Sequence, residues 1–574
     1  MRERLHLLII PACALLAVLP LIVIGSSCGH DYGFHVLNWL EVSTQWNQGL
    51  LLPHWEFTAA FNSGEPRFVF YPPLSWVIGA LLGFIVRWIA APATFIWLAL
   101  TACGFTMYRL AREWTSEANA LIAAGFYMVH PYMLFTAFER AAYAELLAAA
   151  WVPLVMLAIL RPNISAWKLA LAVALLWITN NPGAVMGCYS LALLAVIRVA
   201  WIWIFQKQPR PALKDAGTMA AGTCLGLALA GFYLVPATLE RAWVDISMVR
   251  APGTRYQDNF LFGRSVSISH TAILRTASLC MVALLACIAV FAAIAFLRKN
   301  KQPAAAPAEN WIGYRRFAIL ALVLLSLFVG FLLTATSTPL WRLIPELKYL
   351  QFPWRFGTIL GAAAAALLAL ALGRIRLRLY VAIPCAMAIP LLLGAVGNHF
   401  FRQYCSASND VEGMVAAFRV GETHDPTDEY TPSTADSLAI GHDNPATWLA
   451  NTPTAPPPDA AAGPQFVNLH DRLHFVVASP TPAFYVINLR DYPAWHVTLN
   501  GKASRHRPHR EDGLIVVPIP GGQSQIDISW TTTPDHIWGW LVSALALIAF
   551  LFVWRRDRLR SSTVSRDRIT SPAR

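Results

Sequence analysis

The chain has 574 residues, of which 56% are hydrophobic and 13% charged, and its mean hydropathy is +0.49. A soluble protein of this length needs far fewer apolar residues, so the composition excludes a water-soluble globular protein. The formal net charge of +12 would suggest a nucleic-acid partner in a soluble protein. Here the basic residues stand in short clusters between apolar runs, so we expect a polytopic membrane protein and no nucleic acid.

Thirteen apolar segments follow one another, each long enough, or nearly so, to cross a hydrocarbon core of about 30 Å. They begin near residues 7, 73, 92, 117, 142, 168, 183, 216, 277, 317, 357, 379 and 536. Basic residues at both ends (Arg2, Arg4 and the tail from Arg555) predict two cytoplasmic termini, which requires an even number of crossings. We predict that the segment after Pro72 is a short helix that dips in or lies at the interface, with Arg87 outside. About twelve spans result.

Seven of the nine cysteines lie within apolar runs, where a thiol behaves as a small hydrophobic group. Cys28 and Cys405 fall in predicted external segments, so one disulfide is possible. A disulfide scaffold or a cysteine-ligated zinc site is not expected. The sequence also has no Gly-rich phosphate loop and no His-Glu-x-x-His helix, which argues against nucleotide binding and against that class of metalloenzyme.

The chain divides into three predicted parts: a transmembrane domain (1–397), an external domain (398–535), and a last span with a basic tail (536–574). The external domain begins with a stretch rich in Pro, Ala, Thr and Asp, which is typical of loop and linker. Its second part alternates with the period of a β-strand and has a tight-turn signal at Asn500-Gly501, which predicts a small antiparallel β-sandwich. The alternating segments are Leu473–Val477, Phe484–Leu489, Trp495–Leu499, Leu514–Ile519 and Ile526–Trp530.

The first predicted external loop opens with a carboxylate and an imidazole one helical turn apart, Asp31 and His35. On a helix they share a polar stripe with Asn38, Gln45 and Gln48, so an amphipathic interfacial helix is predicted after the first span. A partly desolvated carboxylate there suits a general base for an acceptor hydroxyl, or a metal ligand. The alternative, which has equal weight, is that Asp31 caps the helix.

A second external loop carries Glu139, Arg140 and Glu145 just before an apolar span. Ionisable groups at the mouth of a span usually serve a pathway, a ligand or one another. Glu145 is therefore a second candidate acid and Arg140 a candidate anion contact, while the alternative is an ion pair between Arg140 and either glutamate. Arg67 and Arg355 stand beside aromatic residues in other external segments, which suits a lipid phosphate. For any one of these arginines, interfacial anchoring is the more common role.

These segments together resemble a known superfamily. A loop that opens with Asp31 and closes with Phe70-Tyr71-Pro72-Pro73-Leu74 is similar to the GT-C glycosyltransferases, which use polyprenyl-phosphate sugars. Other segments more closely resemble a bacterial membrane family described as "6-pyruvoyl-tetrahydropterin synthase-related", and a stretch of the β domain resembles YfhO-type membrane proteins. The segments that resemble the bacterial family are Arg140 with Glu145, Asn181-Pro182, Gln351-Phe352-Pro353-Trp354-Arg355-Phe356 and Glu429-Tyr430-Thr431-Pro432. The stretch that resembles YfhO-type proteins is Tyr492 to Lys502. Pterin synthase itself is a small soluble zinc enzyme, and no matching ligand cluster is visible in this sequence.

The resemblance implies a GT-C-like fold and the transfer of a sugar, with inversion, from a polyprenyl-phosphate carrier to an extracytoplasmic glycan, lipid or protein. It implies that Asp31 is the base or a metal ligand, with Mg²⁺ or Mn²⁺ as its cation if one is required, and that Glu145 stands near a second catalytic acid. The residues expected to bind substrate or phosphate are His35, Arg67, Tyr71, Arg140 and Arg355.

The expected location is the bacterial inner membrane, with the site and the β domain on the periplasmic face and with membrane lipid and a polyprenyl-linked sugar as partners. The alternative function is a non-catalytic transporter or scaffold that binds polyprenyl-linked glycans in envelope assembly.

Overall fold

The structure is a computed structural model that describes residues 7–265, 267–297, 311–373, 375, 377–422, 424–458 and 471–570. Arg2 and Arg4, on which the predicted topology partly depends, lie outside the described residues. Each of the thirteen predicted apolar segments contains a helix. Eight described segments are long and apolar enough to cross a membrane: Trp88–Ala111, Tyr143–Leu160, Asn181–Phe205, Ile268–Leu297, Gly313–Leu332, Pro353–Leu372, Leu379–Phe401 and Pro534–Leu559.

Besides these eight segments, the described residues contain two pairs of apolar helices with a bend between them and three short apolar helices. Glu117–Val129 bends by 45° into Pro131–Glu139, and Pro209–Leu229 bends by 75° into Gly231–Trp243; each pair is apolar enough to form one span. The short apolar helices are Ile9–Ile24, Pro73–Ile85 and Ala166–Thr179. The described helices therefore provide eight to ten candidate spans, and the count of twelve stays a prediction.

The helix after Pro72 is short, as the sequence predicts. Pro73–Ile85 has 13 residues and therefore extends about 20 Å at the helical rise of 1.5 Å per residue. A hydrocarbon core of about 30 Å is too thick for it to cross alone. This length agrees with a helix that dips in or lies at the interface, while the side of the membrane on which Arg87 lies stays a prediction.

An alanine-rich helix forms the centre of the helical bundle. Nearly every residue of Gly357–Leu372 is buried, and this helix packs on Ile268–Leu297, on Glu117–Val129 and on Trp311–Leu332. Its small side chains allow close approach of neighbouring backbones. Within a membrane the hydrophobic effect does not drive helices together, so they associate through close packing of this kind.

The C-terminal domain is a β-sandwich of two antiparallel sheets, as predicted. The order of strands is β1-β3-β6 in one sheet and β2-β7-β4-β5 in the other. Asn500 and Gly501, both with positive φ, form the turn between β4 and β5. The strands are β1 Thr447–Ala450, β2 Arg472–Ser479, β3 Ala483–Arg490, β4 Trp495–Leu499, β5 Lys502–Ala503, β6 Leu514–Ile519 and β7 Gly522–Trp530.

The stretch predicted as loop and linker contains regular structure, so that interpretation was too simple. It includes the helix Val411–Val420, which Asp410 caps by accepting the amide of Gly413 at 2.7 Å, and strand β1. Its Pro-rich end past residue 458 lies outside the described residues up to 470. The predicted domain boundaries at 397 and 535 fall inside the helices Leu379–Phe401 and Pro534–Thr570.

Two links tie the first loop to distant parts of the chain. Cys28 and Cys405 form a disulfide, which confirms the pairing that the sequence allowed. Trp55, which is fully buried, packs in the core of the β-sandwich with Trp495 and Ile528. The loop is therefore held at its start by the segment that follows the helix Leu379–Phe401 and further along by the β domain.

The helix predicted after the first span is present as Tyr32–Asn47. The middle of its polar stripe faces protein, since Asn38 and Gln45 are fully buried, whereas Gln48 at its end is exposed. Glu41, on the same helix, accepts the amide of Phe57 at 3.0 Å and the hydroxyl of Thr58 at 2.8 Å. The stripe thus fixes the path of the first loop.

Candidate active site

The first loop meets the second through backbone hydrogen bonds. The amide of Asp31 donates to the carbonyl of Arg140 at 2.8 Å, and that of His30 donates to Glu139 at 3.4 Å. Gly29 permits this approach, because a Cβ there would lie 2.4 Å from the Glu139 carbonyl oxygen. The contact brings the side chains of Asp31 and Arg140 together.

A break in a helix shapes the second loop. The helix Glu117–Val129 ends at His130, whose extended backbone (ψ 157°) is the conformation that a following proline, Pro131, favours. Nδ1 of His130 accepts the amide of Met133 at 3.2 Å and so caps the next short helix. Ala141 then adopts a left-handed conformation, with φ of 49°, which turns the chain into the following span.

Arg140 is the centre of a cluster of charged groups. One of its terminal nitrogens lies 2.6 Å from the carboxylate of Glu145, and the other donates to Asp31 at 3.4 Å. The hydroxyl of Tyr132 donates to Glu145 at 2.6 Å. Nε of Arg355 is buried and lies 3.5 Å from the same carboxylate, and it makes no hydrogen bond in the described part of the chain. Glu145 therefore holds two guanidinium groups side by side.

These groups line a cavity of about 770 Å³. Part of its wall is apolar, with Val185, Leu227 and Leu234 among the lining residues. The acids and arginines that line it, among the described residues, are Asp31, Glu145, Glu346, Glu429, Arg140, Arg241 and Arg355. Burial raises the pKa of Glu429, so this carboxyl keeps a proton to a higher pH than an exposed glutamate. A cavity with this lining suits a ligand that has both a charged and an apolar part.

The structure bears on two alternatives for this cluster, namely that Asp31 caps its helix and that Arg140 forms an ion pair with a glutamate. Asp31 stands at the N-cap of the helix Tyr32–Asn47, but its side chain makes no capping hydrogen bond and contacts Arg140 instead. That side chain is 41% exposed, whereas those of Arg140 and Glu145 are 4% and 3% exposed. Arg140 does pair with Glu145, so the ion-pair alternative holds, and the pair lines the cavity. Of the two glutamates, Glu145 faces the cavity; Glu139 is hydrogen-bonded to Gln403.

Two more predicted residues, His35 and Tyr71, also line the cavity. Nε2 of His35 accepts the amide of Tyr143 at 3.1 Å, and the two rings stack with centroids 5.2 Å apart. Burial lowers the pKa of His35 to about 4, so its imidazole is neutral at physiological pH. The ring of Tyr71 packs edge-on against Phe34 at 5.0 Å.

Arg67 is placed differently from the other candidates and is not among the residues that line the described cavity. It is buried and lies 2.5 Å from Glu56 and 2.7 Å from Glu65. It also donates to Asn38 at 2.9 Å and to the hydroxyl of Thr427 at 2.5 Å. These contacts join the first loop to the segment that carries Glu429; a role for Arg67 in binding substrate stays a prediction.

Two groups in the site were not singled out from the sequence. Glu429 belongs to the Glu429-Tyr430-Thr431-Pro432 segment, which resembles the family but lay within the presumed linker. Tyr132 follows the helix break at His130 and precedes the part of the second loop that carries Glu139 and Arg140. The signals that could have found them are the polar motif inside a Pro-rich stretch and a tyrosine eight residues before Arg140.

A divalent cation on Asp31 finds little support in the surrounding side chains. The nearest charged partner of Asp31 is a guanidinium group, and Glu145 is already bound by Arg140 and Tyr132. Among the described residues, the group of three potential ligand atoms within 4.8 Å lies elsewhere and does not include Asp31. The cation stays a prediction, and no step below depends on it.

The helices and the cavity between their loops define a polytopic membrane protein with a charged site. The chain belongs to the family described as "6-pyruvoyl-tetrahydropterin synthase related domain; membrane protein", whose family model matches residues 68–404. No curated protein matches the chain.

Three solved structures of GT-C glycosyltransferases resemble it distantly. A mutant form of the arabinofuranosyltransferase AftD from Mycobacteria is 18% identical with a TM-score of 0.41, over 69% of this chain and 28% of that one. The oligosaccharyltransferase of Archaeoglobus fulgidus, in the apo form, is 15% identical with a TM-score of 0.37, over 70% and 57%. ArnT from Cupriavidus metallidurans, bound to undecaprenyl phosphate, is 13% identical with a TM-score of 0.27, over 72% and 90%. The matched region thus spans less than a third of AftD.

Proposed function

We propose that this protein is a membrane glycosyltransferase that moves a sugar from a polyprenyl-phosphate carrier to an extracytoplasmic acceptor. The observation that carries the proposal is the position of Asp31: an accessible carboxylate at the edge of a partly apolar cavity, 3.4 Å from Arg140. Such a cavity suits a substrate with a phosphate, a sugar and a lipid chain.

Asp31 is the general base in this proposal. Its carboxylate is 41% exposed, whereas Glu145 is buried and bound by Tyr132 and Arg140. The acceptor hydroxyl gives its proton to Asp31, and its oxygen forms a bond to the anomeric carbon. The bond from that carbon to the phosphate oxygen breaks, and polyprenyl phosphate leaves with the electron pair, which inverts the anomeric centre. A positioned base contributes about 10²–10⁴-fold to such a rate.

Arg355 and Arg140 bind the phosphate. The Nε of Arg355 has no hydrogen bond within the described residues, and its guanidinium group lines the cavity beside that of Arg140. Fixed cations of this kind stabilise the charge that grows on the leaving phosphate, which is usually the largest contribution to catalysis. Glu145 is a positioning residue, since it holds both guanidinium groups in place.

The test is the turnover of a panel of polyprenyl-phosphate sugars by the full-length protein in lipid, with release of polyprenyl phosphate as the readout. Asp31→Asn removes the base, and it should leave the fold intact because this side chain makes no capping hydrogen bond. Asp410→Asn is the matched control, since Asp410 is also an N-cap aspartate but caps its helix through a 2.7 Å bond. We expect turnover in the native protein and the control, and a loss of about 10²-fold or more in Asp31→Asn.

Other results would contradict the proposal. Equal turnover by Asp31→Asn and the native protein would remove Asp31 from the chemistry. Binding of a carrier without turnover in any of the three proteins would instead favour the transporter or scaffold function. Loss of turnover in both variants would show that the activity depends on the structure at the N-terminal ends of these two helices, and not on Asp31 as a base.

A further inference from the structure

A second cluster of potential ligands lies where the last helix begins. Glu240, at the end of the bent helix Gly231–Trp243, meets Asp535 and His536, in the first turn of Pro534–Thr570. One ligand atom from each residue lies within 4.8 Å of the other two. Glu240 stands almost three hundred positions before the adjacent Asp535 and His536, which is why no spacing pattern reveals the cluster.

The two carboxylates of this cluster are buried, and among the described residues their one basic neighbour is the imidazole of His536. Glu240 is fully buried and Asp535 is 9% exposed. Glu240 accepts neutral hydrogen bonds, from the hydroxyl of Tyr492 at 2.5 Å and from that of Thr533 at 3.1 Å. Oδ2 of Asp535 makes no hydrogen bond with any residue that the structure describes. No arginine or lysine within the described residues forms an ion pair with either acid.

The imidazole completes the cluster without neutralising it. Nε2 of His536 lies 3.2 Å from Glu240 but is not aligned for a hydrogen bond. Even a protonated His536 would balance only one of the two acids. Buried charges are normally paired or coordinate a metal, because an isolated one is costly to desolvate. The positive end of the last helix favours Asp535, but it amounts to only about half a charge.

We propose that Glu240, Asp535 and His536 bind a divalent transition-metal ion, for which Zn²⁺ is the probe. One imidazole with two carboxylates is a ligand set that suits Zn²⁺ better than Mg²⁺ or Ca²⁺, which prefer oxygen ligands alone. In the tetrahedral geometry that Zn²⁺ prefers, bonds of about 2.0–2.2 Å place two ligand atoms about 3.3–3.6 Å apart. A pair at the 4.8 Å limit therefore has to close by up to about 1.5 Å, which requires small side-chain rotations.

A metal ion there would join three parts of the molecule. Glu240 belongs to the bent helix and Asp535 to the last helix, while Tyr492, in the β domain, donates to Glu240. The neighbour of Glu240, Arg241, lines the cavity. The ion would therefore strengthen the contact between the β domain and the helix next to the cavity wall, and this role does not depend on which reaction the cavity performs.

The experiment uses the full-length protein in detergent, stripped with EDTA and then given Zn²⁺ alone. Metal retained after gel filtration is measured by mass spectrometry, and the melting temperature is measured with Zn²⁺ and with EDTA. The test variants are Asp535→Asn and His536→Gln. His474→Gln is the control, because His474 forms an exposed pair with Asp527 at 2.7 Å that has the same residue types but belongs to no three-ligand cluster.

We expect about one Zn²⁺ per native chain, a higher melting temperature with Zn²⁺ than with EDTA, and no change in the control. Each test variant should bind Zn²⁺ at least about tenfold more weakly, since loss even of an outer-shell partner costs that much. Equal Zn²⁺ binding by the native protein and both variants would overturn the proposal, as would native protein that retains none.

X-ray absorption of the native protein decides the question if the variants do not fold. The proposal requires one imidazole and otherwise oxygen ligands around the ion. A spectrum with sulfur ligands, or with several imidazoles, would place the ion elsewhere and refute the site.

Discussion

Glu145→Gln is the change that most directly tests how the charged cluster is held. The native carboxylate accepts the hydroxyl of Tyr132 and pairs with Arg140, both at 2.6 Å, and it lies 3.5 Å from Arg355. Glutamine keeps the shape and one oxygen acceptor. It removes the charge, and it turns an NH₂ group towards one of these donors.

The cost follows from what remains around Arg140, which is only 4% exposed. Breaking a buried ion pair by removing one partner costs about 3–5 kcal/mol. Two contacts offset part of this loss, namely Asp31 at 3.4 Å and the ring of Trp354 at 5.1 Å from the guanidinium carbon. We therefore expect the lower end, about 3 kcal/mol, which corresponds to about a hundredfold in the equilibrium for local opening.

Hydrogen exchange of the backbone amides in Tyr143–Ala148 measures this opening. Exchange in Glu145→Gln should be about a hundredfold faster than in the native protein in the same detergent. Glu139→Gln is the control, because Glu139 is a neighbouring glutamate that makes a hydrogen bond to Gln403 and no ion pair within the described residues; its exchange should stay within about fivefold of native. If both variants exchange at the same rate, the charge of Glu145 does not hold the cluster.

Two further predictions concern the first loop. Replacing both Cys28 and Cys405 with serine should lower the stability of the protein by about 2–4 kcal/mol, seen as a lower melting temperature that added reductant does not lower further; an unchanged melting temperature would contradict a structural role of the disulfide. Burial lowers the pKa of His35 to about 4. The neutral imidazole therefore contributes fully to the free energy of unfolding above the ordinary histidine pKa of about 6.5. As the pH falls towards 4 this contribution is lost, which lowers the free energy of unfolding by up to about 3 kcal/mol. His35→Gln keeps an acceptor for the amide of Tyr143 and should flatten the dependence of melting temperature on pH between about 7.5 and 4.5, whereas equal slopes would refute this reasoning.

The positions of the helices could be predicted because apolar length is a local property. Each predicted segment contains a helix, and the five alternating segments became strands β2, β3, β4, β6 and β7. Strand β1 was missed because it has four residues, Thr447–Ala450, and follows a stretch dominated by turn-forming residues. Its pairing with β3 depends on contacts across about forty residues, which no local pattern records.

The site was predictable in part for a similar reason. Asp31, Arg140 and Glu145 could be proposed because polar groups at the ends of apolar spans are conspicuous. The environment of Arg67 could not be foreseen, since one of its partners, Thr427, lies 360 residues away. Its other partners, Glu56 and Glu65, stand in the same loop, but only the fold shows that they bind Arg67 and leave Arg355 facing the cavity.

The pairing of charges around Arg140 bears on how the proposed reaction would proceed. Asp31 is the exposed member of the cluster, and Glu145 is the buried one. When Asp31 takes a proton from the acceptor, Arg140 loses one of its two carboxylate partners and keeps the closer one. The guanidinium groups therefore stay in position at the moment when the leaving phosphate gains a further negative charge, and Arg140 then has more of its charge available to that phosphate. A cluster with one buried acid and one accessible base is thus suited to couple the removal of the proton to the stabilisation of the leaving group.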